Sequence, residues 1–143
     1  MAITQLSVFL ENKLGRLQEA VLCLGKNQIN IRALSLADTA EYGILRIIVN
    51  DVEKATAALK NGGLSVKETI VLGIEVEDHP GGLAGVLDIL TKNQMSVEYI
   101  YAFVEKSNEK AIVVFKVEDA GKAEKALSWN NIRVLGANEI RTL

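Results

Sequence analysis

The chain has 143 residues, a length that fits one ordinary domain or two small ones. Hydrophobic residues make up 49% of it and aromatic residues only 5%, so aliphatic side chains build its core and a disordered chain is excluded. The net charge of −2 provides no basic surface of the kind that binds nucleic acid.

Targeting signals and covalent or metal cross-links are also excluded by the sequence. In residues 2–10 polar side chains interrupt the apolar ones, and no basic residue precedes them. This segment therefore does not form a secretory signal. No run of about 20 apolar residues is present to cross a bilayer. One cysteine, Cys23, and one histidine, His79, cannot make an intrachain disulfide or a four-ligand zinc site. We therefore expect a cytoplasmic protein that needs no metal or cofactor and binds neither membranes nor nucleic acid.

An internal repeat organises the chain. A shift of 66 positions gives eight identities over residues 6–28, including Gly15 on Gly81 and the tripeptide 26–28 on 92–94. After a two-residue insertion near 105–110, the register resumes with Asp51 on Asp119. Each half is therefore one structural unit.

Hydrophobic periodicity predicts the same elements in both halves. Apolar residues alternate in the first segment of each half, as in a strand with one buried face, and then recur at helical spacing. In the first half, strands are predicted over 6–10, 29–36, 44–49 and 64–69, and helices over 14–27 and 51–60. In the second half, strands are predicted over 72–76, 97–104, 111–117 and 132–140, and helices over 83–93 and 121–129. Asp51 and Asp119 are predicted to cap the second helix of each half, and polar turns are predicted at 37–43 and 105–110.

This order is β-α-β-β-α-β, repeated twice. It predicts an α+β fold of two ferredoxin-like units, each with an antiparallel sheet, two helices on one face and the other face uncovered. The units are expected at residues 1–69 and 70–143. Because residues 69–71 are too few for a flexible linker, we expect a rigid pair.

The most informative local feature is the turn between the first strand and the first helix of each half. It contains Gly15 in the first half and Gly81 in the second. A glycine lets a ligand approach the main chain, and the N–H groups of the first helical turn favour a carboxylate. A plainer interpretation is that each glycine permits a tight turn while Asn12 and Asp78 cap the helices.

The segment Asp78-His79-Pro80-Gly81-Gly82-Leu83 resembles the opening motif of ACT domains, in which an acidic or amide residue precedes Pro-Gly and Leu. The resemblance covers nearly the whole chain, and the β-α-β-β-α-β order agrees with it. It implies an amino-acid-binding regulatory module whose units pair through their sheets and bind effectors with the glycine turn and the strand after the first helix. The first half departs from the motif, with Leu14 where proline usually sits.

Carried over to this sequence, the resemblance implies a set of ligand-binding residues in each half. In the first half they are Asn12, Lys13, Leu14, Gly15, Arg16, Asn30, Ile31 and Arg32, and in the second half Asp78, His79, Pro80, Gly81, Gly82, Ser96, Val97 and Glu98. Lys13 and Arg16 make the first turn the more cationic of the two, so we expect the two sites to differ in preference for an anionic group.

Other classes of function have less support. Tyr99, Tyr101 and Phe103 alternate along one strand, as in RNA-recognition folds, but the third strand of the first half, 44–49, has no aromatic residue and the basic-glycine-aromatic signature is absent. Cys23 has no histidine nearby and is interpreted as a packing residue. No nucleophile-base set or carboxylate pair indicates an enzyme.

The sequence thus predicts a non-catalytic regulatory or sensor module that binds a small ligand, an amino acid above all. The alternative is a structural protein-interaction module that uses its uncovered sheet face and binds no small ligand. A homodimer is expected, and any output would act through an enzyme or regulator that the protein controls.

Overall fold

The computed structural model describes residues 2–38, 41–104 and 110–142. It divides into two compact units. The first unit contains residues 4–69, and the second contains residues 70–142 together with residues 2 and 3. Most of the predicted turn at 105–110, with its two-residue insertion, and the centre of the predicted turn at 37–43 lie outside the described residues.

The order of elements matches the predicted repeat up to the C-terminal segment. In chain order the elements are β1 (Ile3–Glu11), α1 (Arg16–Lys26), β2 (Ile31–Asp38), β3 (Tyr42–Val49), α2 (Val52–Asn61), β4 (Ser65–Glu77), α3 (Gly82–Lys92), β5 (Val97–Ala102), β6 (Lys110–Val117), α4 (Ala120–Trp129), β7 (Val134–Leu135) and α5 (Ala137–Arg141). The predicted strands over 64–69 and 72–76 are one strand, β4, and the division between the units falls inside it.

The sheet of the first unit has the strand order β2-β3-β1-β4, to which β4 contributes residues 65–69. Both β1 and β2 pair with β3 in the antiparallel sense, so they run parallel to each other and their carboxyl ends lie at the same edge of the sheet. Alternate residues of β1 and β3 pack against α1 and α2 through Leu24 and Leu59. This core confirms the predicted buried faces of β1 and α2. The face predicted for α1 is wrong in part, because Leu24 is buried whereas Leu14, Leu17 and Val21 are exposed.

The second unit repeats this arrangement with the order β5-β6-β4-β7. Its strands are also antiparallel, and its core joins β4 and β6 to α3 and α4. Phe115 at the centre of β6 is fully buried and lies opposite Leu72. Each unit therefore has a hydrophobic core of its own.

The four long helices end in the same way, which explains the repeated tripeptide Lys-Asn-Gln. The residue after each C-cap has a positive φ, and the next N–H donates to a carbonyl five residues earlier, as in a Schellman motif. The positive φ values are 60° at Gln28, 82° at Gly63, 58° at Gln94 and 62° at Asn131. The donors are Ile29, Leu64, Met95 and Ile132, at 2.9–3.0 Å from their acceptors. The identity of residues 26–28 and 92–94 thus reflects helix termination and not a ligand motif.

The predicted strand over 132–140 is wrong. Only Val134 and Leu135 pair with β4, and a short helix, α5, follows. Gly136 stops the strand because its N–H donates to Oε1 of Glu139 at 3.1 Å, which begins a helical turn. Arg133 Nη1 donates to Oε1 of the buried Glu75 at 2.6 Å, and Nη2 of Arg133 pairs with Glu139.

The expectation of an uncovered sheet face is also wrong. Residues on the face opposite the long helices are buried in both units, and in the second unit Leu135 and Ile140 of the C-terminal segment lie beside Gly73 on that face. The buried residues on these faces include Gln5, Ser7, Ala33 and Ile48 in the first unit and Glu75, Ile112 and Val114 in the second. A protein-interaction module would therefore have to use a surface other than this face.

Candidate functional site

The first glycine turn connects the end of β1 to the start of α1 over residues 12–15. Gly15 is the N-cap residue and has φ 88°, a conformation that favours glycine because it has no Cβ. The N–H of Lys13 donates to the carbonyl of Glu11 at 2.8 Å, and the N–H of Glu19 donates to the carbonyl of Gly15 at 3.0 Å. A Cβ at Gly15 would meet no atom within 4 Å, so the space above the helix start is open.

Asn12 and Asp78 are not the N-cap residues of α1 and α3, as was predicted; these are Gly15 and Gly81, which have no side chain to cap the helix. The side-chain amide of Asn12 instead donates to Oδ1 of Asp38 at 3.3 Å. By contrast, α2 and α4 carry the predicted carboxylate caps. Oδ1 of Asp51 accepts from the N–H of Lys54 at 3.1 Å, and Oδ1 of Asp119 accepts from that of Lys122 at 3.0 Å. The N-cap glycine of α1 therefore offers no side-chain acceptor, and a ligand carboxylate would supply one.

Beside the first glycine turn lies a cleft of ≈ 170 Å³, which we call the Leu36 cleft. Its lining combines apolar, cationic and acidic side chains. The residues are Leu10, Glu11, Asn12, Lys13, Arg16, Leu17, Leu36, Asp38 and Gly43. Clefts that hold drug-sized ligands are about 300–1,000 Å³, so this one suits a smaller molecule. A zwitterion with a short apolar side chain has groups that complement all three kinds of lining residue.

Charged groups of opposite sign are paired around this cleft. Lys13 Nζ lies 3.0 Å from Oε2 of Glu11, and Arg16 Nη1 lies 3.0 Å from Oε2 of Glu19. The hydrogen bond and charge of Lys13, with the charge of Arg16, hold the pKa of Glu11 below its ordinary value of 4.5. The stabilising contribution of Glu11 is thus present above pH 4.5 and is lost as the pH falls through its lowered pKa.

Replacing Lys13 with glutamine should raise the pKa of Glu11 toward 4.5, because the principal cause of the lowering is then removed. The measurement is an NMR titration that follows the side-chain carboxyl carbon of Glu11. Lys54→Gln on α2 is the matched control and should leave this titration unchanged. An unaltered titration of Glu11 in Lys13→Gln would show that the Glu11–Lys13 ion pair does not form in solution.

A second cleft of ≈ 390 Å³ also adjoins the start of α1, and we call it the Tyr42 cleft. It shares Glu11 and Arg16 with the Leu36 cleft. Its other lining residues are Phe9, Glu19, Tyr42, Gly62, Gly63, Leu64 and Ser65. Arg16 thus reaches both clefts. Its Nε is buried and has no hydrogen-bond partner among the described residues, so it is a donor that a ligand could use.

The second glycine turn has the same backbone but different chemistry. Gly81 has φ 88°, like Gly15, and the N–H of Gly82 donates to the carbonyl of His79 at 3.0 Å. A Cβ at Gly82 would overlap the carbonyl oxygen of Glu77, so the side chain that Arg16 supplies in the first unit cannot be accommodated here. His79 and Pro80 are exposed, and Nδ1 of His79 lies 2.9 Å from the carbonyl oxygen of Pro80.

Within a unit, the structure separates the predicted strand residues from the glycine turn. Asn30, Ile31 and Arg32 lie at the start of β2, where Ile31 pairs with Val49, whereas the turn adjoins the far end of that strand. An eight-residue strand spans roughly 25 Å. Ser96, Val97 and Glu98 lie at the start of β5 in the same way, opposite Val117. The predicted set therefore forms two groups in each unit, the turn and the strand start.

The residues that sequence reasoning missed are Leu36, Asp38 and Gly43, which line the Leu36 cleft with the turn. A signal for them existed in the predicted topology. In a β-α-β unit the two strands are parallel, so the end of β2 must lie at the same edge as the end of β1. The residues nearest to the turn are therefore those at the end of β2.

Two of the other candidate features have structural roles. Cys23 packs against the first core and its Sγ lies 3.2 Å from the carbonyl oxygen of Ala58, which confirms the packing interpretation. The rings of Tyr99 and Tyr101 stack on each other with centroids 6.4 Å apart.

Across the described ranges, no helix is long and apolar enough to cross a membrane. Nor do three or more histidine, cysteine or acidic side chains gather there as a metal site would require.

The relationship to known proteins agrees with this geometry. The family model of the ACT domain pair matches residues 1–143. The chain belongs to the ACT domain pair family. This membership confirms the resemblance seen at residues 78–83 and the prediction of two ferredoxin-like units. No curated protein matches the chain.

Solved structures share the fold of this ACT domain pair. Protein BT0572 from Bacteroides thetaiotaomicron is 40% identical, with a TM-score of 0.93 over 100% of this chain and 98% of that chain. The ligand-free regulatory subunit of aspartate kinase from Thermus thermophilus is 14% identical, with a TM-score of 0.61 over 88% of this chain and 90% of that one. The regulatory subunit from Thermus flavus gives 14% identity and a TM-score of 0.60 over the same shares of the two chains. At 14% identity the likeness concerns the fold.

Proposed function

We propose that this ACT domain pair is a non-catalytic regulatory module that binds an amino acid at the first glycine turn. The observation that carries the proposal is the contrast between helix starts. Asp51 and Asp119 cap α2 and α4, whereas α1 begins at Gly15 with open space and no capping side chain. A carboxylate bound there would accept from the N–H groups of the first turn of α1.

The Leu36 cleft supports an amino acid over a simple anion. Arg16 and the helix start favour the carboxylate, Glu11 and Asp38 favour the ammonium group, and Leu17 and Leu36 provide an apolar wall for the side chain. The second turn complements a carboxylate less well, since Gly82 lies at the position that Arg16 has in the first unit. We therefore propose two unequal sites, with the first binding the ligand more tightly.

The mode of action that we propose is a shift of population. A ligand that binds one arrangement of the protein more tightly stabilises that arrangement in proportion to the difference in affinity. Two of the similar structures are regulatory subunits of aspartate kinase, an arrangement in which a regulatory chain is distinct from the catalytic one. By analogy, we propose that this chain forms a homodimer in the cytoplasm and conveys occupancy to an enzyme or regulator.

The test is thermal unfolding of the full chain in the presence of each of the twenty amino acids. A ligand at about 100 times its dissociation constant adds roughly 2.7 kcal/mol to the free energy of unfolding and raises the midpoint by about 5–10 °C. We expect a selective rise. The matched controls are the N-acetyl and amide derivatives of the stabilising amino acid, which remove one charge each and should stabilise less.

A flat panel would contradict amino-acid binding and favour the protein-interaction alternative. Mass spectrometry of the same mixtures separates binding from catalysis, because an enzyme would convert the added compound and a regulatory module would leave it unchanged.

A further inference from the structure

The Tyr42 cleft differs from the Leu36 cleft in the charge that its walls favour. The Leu36 cleft has two carboxylates and two basic side chains. Among its described lining residues, the Tyr42 cleft has the carboxylates of Glu11 and Glu19 but a single basic side chain, Arg16. Gly62 and Gly63 bring the carboxyl end of α2 to this cleft, where the partial negative charge of the helix favours a cation. These walls therefore favour a positively charged ligand.

Two aromatic side chains line the same cleft from neighbouring strands. Glu11 of β1 lies opposite Tyr42 of β3, and Phe9 lies two residues before Glu11, on the same side of the sheet. Phe9 is 39% exposed and Tyr42 is 52% exposed. The face of an aromatic ring attracts a cation that lies within about 6 Å of its centroid. The strand ends thus place aromatic rings beside a carboxylate.

The second unit holds a cation of its own at the corresponding place. The repeat sets Glu75 at the position of Phe9 and, after the two-residue insertion, Arg133 at the position of Ser65. Both Phe9 and Ser65 line the Tyr42 cleft. In the second unit, Nη1 of Arg133 donates to Oε1 of Glu75 at 2.6 Å, and Nη2 pairs with Glu139. A guanidinium thus belongs to this part of the second unit, whereas serine supplies no charge at the same position of the first.

We propose that the Tyr42 cleft is a second ligand site, in addition to the amino-acid site, and that it binds a small organic cation. The ligand is a primary amine or a guanidine with a short apolar chain. Its charged group pairs with Glu19 and lies against the rings of Phe9 and Tyr42, in the way that Arg133 pairs with carboxylates in the second unit. The volume of ≈ 390 Å³ falls within the range of about 300–1,000 Å³ that is typical of clefts for small ligands.

Arg16 is the group that such a ligand displaces. Its Nη1 lies 3.0 Å from Oε2 of Glu19, and the two side chains are 37% and 61% exposed. An ion pair that is this exposed is weak because water screens it, so a ligand cation can take the place of the guanidinium at Glu19. Arg16 also lines the Leu36 cleft, which leaves its side chain a second position. Removing Arg16 should therefore favour the cation, although it weakens binding of the amino acid.

The experiment is an NMR titration of the full chain with butylamine and butylguanidine. No amino acid is added, so the result is independent of the amino-acid site. Butanol and butyrate are the controls, since they keep a chain of similar length and carry no charge or a negative one. We expect both cations to shift the amide signals of Tyr42, Gly62 and Gly63 in a saturable way, and neither control to do so.

Four substitutions test the contacts. Glu19→Gln removes the carboxylate partner and should weaken binding of both cations about tenfold. Tyr42→Leu keeps an apolar side chain but loses the ring, and should weaken binding about two- to fivefold. Arg16→Ala removes the competing guanidinium and should strengthen binding by about two- to fivefold. Glu53→Gln, at the opposite end of α2, is the matched control and should have no effect.

Several results would overturn the proposal. Among them are a wild-type chain without saturable shifts, equal binding of butanol, and shifts at Leu36 and Gly43 in place of those at Tyr42 and Gly63. Full affinity in Glu19→Gln, or equal weakening by Glu53→Gln, would show that the cation does not pair with Glu19. Weaker binding in Arg16→Ala would contradict the displacement of Arg16.

Discussion

Replacing Phe115 with alanine should lower the free energy of unfolding by about 3–5 kcal/mol. Phe115 is fully buried at the centre of β6, where it faces the helices of the second unit. Removing its ring loses the burial energy and leaves a cavity that the surrounding leucine and valine side chains fill only partly. Urea denaturation gives the total change, and native-state hydrogen exchange shows which amides lose protection.

The matched control is Trp129→Ala, which removes a larger aromatic side chain from the same unit. Trp129 is 90% exposed at the end of α4, so its loss should change the stability by less than about 0.5 kcal/mol. Equal effects of the two substitutions would show that β6 does not face the core as described. In hydrogen exchange, the amides of β4, β6, α3 and α4 should lose protection first, since Phe115 belongs to the second core.

Replacing Arg16 with alanine should weaken binding of the stabilising amino acid by about 10–100-fold, because a hydrogen bond between charged groups contributes roughly 1.5–3 kcal/mol. Arg16 lines both clefts beside the glycine turn, and its buried Nε has no partner among the described residues. Isothermal titration calorimetry gives the affinity. Arg16→Lys keeps the charge but loses the planar fork, so it should fall between the wild type and alanine.

Lys26→Ala is the control for Arg16, since it removes a cation from the opposite end of the same helix, about 15 Å away. It should leave the affinity unchanged. Equal affinity of the wild type and Arg16→Ala would place the ligand outside both clefts. Arg16 is a sharper probe than the glycines of the turns. A side chain at Gly15 or Gly81 would strain the backbone at φ 88°, so lost binding there would not separate the site from the fold.

Most of the architecture follows from local patterns in the sequence. The alternation at Leu6, Val8 and Leu10 identifies a buried face, because one face of each strand must leave water. Because the sequence repeats, each helix and strand is predicted from two independent segments. Asp51 and Asp119 were identifiable as caps because a carboxylate just before an amphipathic helix satisfies its first N–H groups.

The C-terminal segment was not predictable by the same reasoning. Ile132, Val134 and Ile140 are compatible with a strand. The helical turn depends on the hydrogen bond from the N–H of Gly136 to the side chain of Glu139, and the strand propensity of the apolar residues hides that bond in the sequence. The burial of Gln5 and Ser7 was equally hidden, because polar side chains on a strand normally indicate a solvent-facing side.

The site was predictable in part. The glycine turn and its cations were found because glycine and basic residues at a helix start have a direct chemical meaning. Leu36 and Asp38 line the Leu36 cleft because the ends of β1 and β2 lie at the same edge of the sheet. Predicting them requires the step that β1 and β2 are parallel.

The continuous strand β4 bears on protein engineering. Its 13 residues serve as the last strand of one unit and the first strand of the next, so the midpoint of the chain lies within a strand. Reporter domains for ligand sensors are commonly inserted between halves of a duplicated protein, where an exposed linker tolerates them. Here that position would interrupt two sheets at once. A biosensor built from this chain therefore needs its reporter at the chain termini or in a surface turn, and the two halves are better expressed as one polypeptide than as separate fragments.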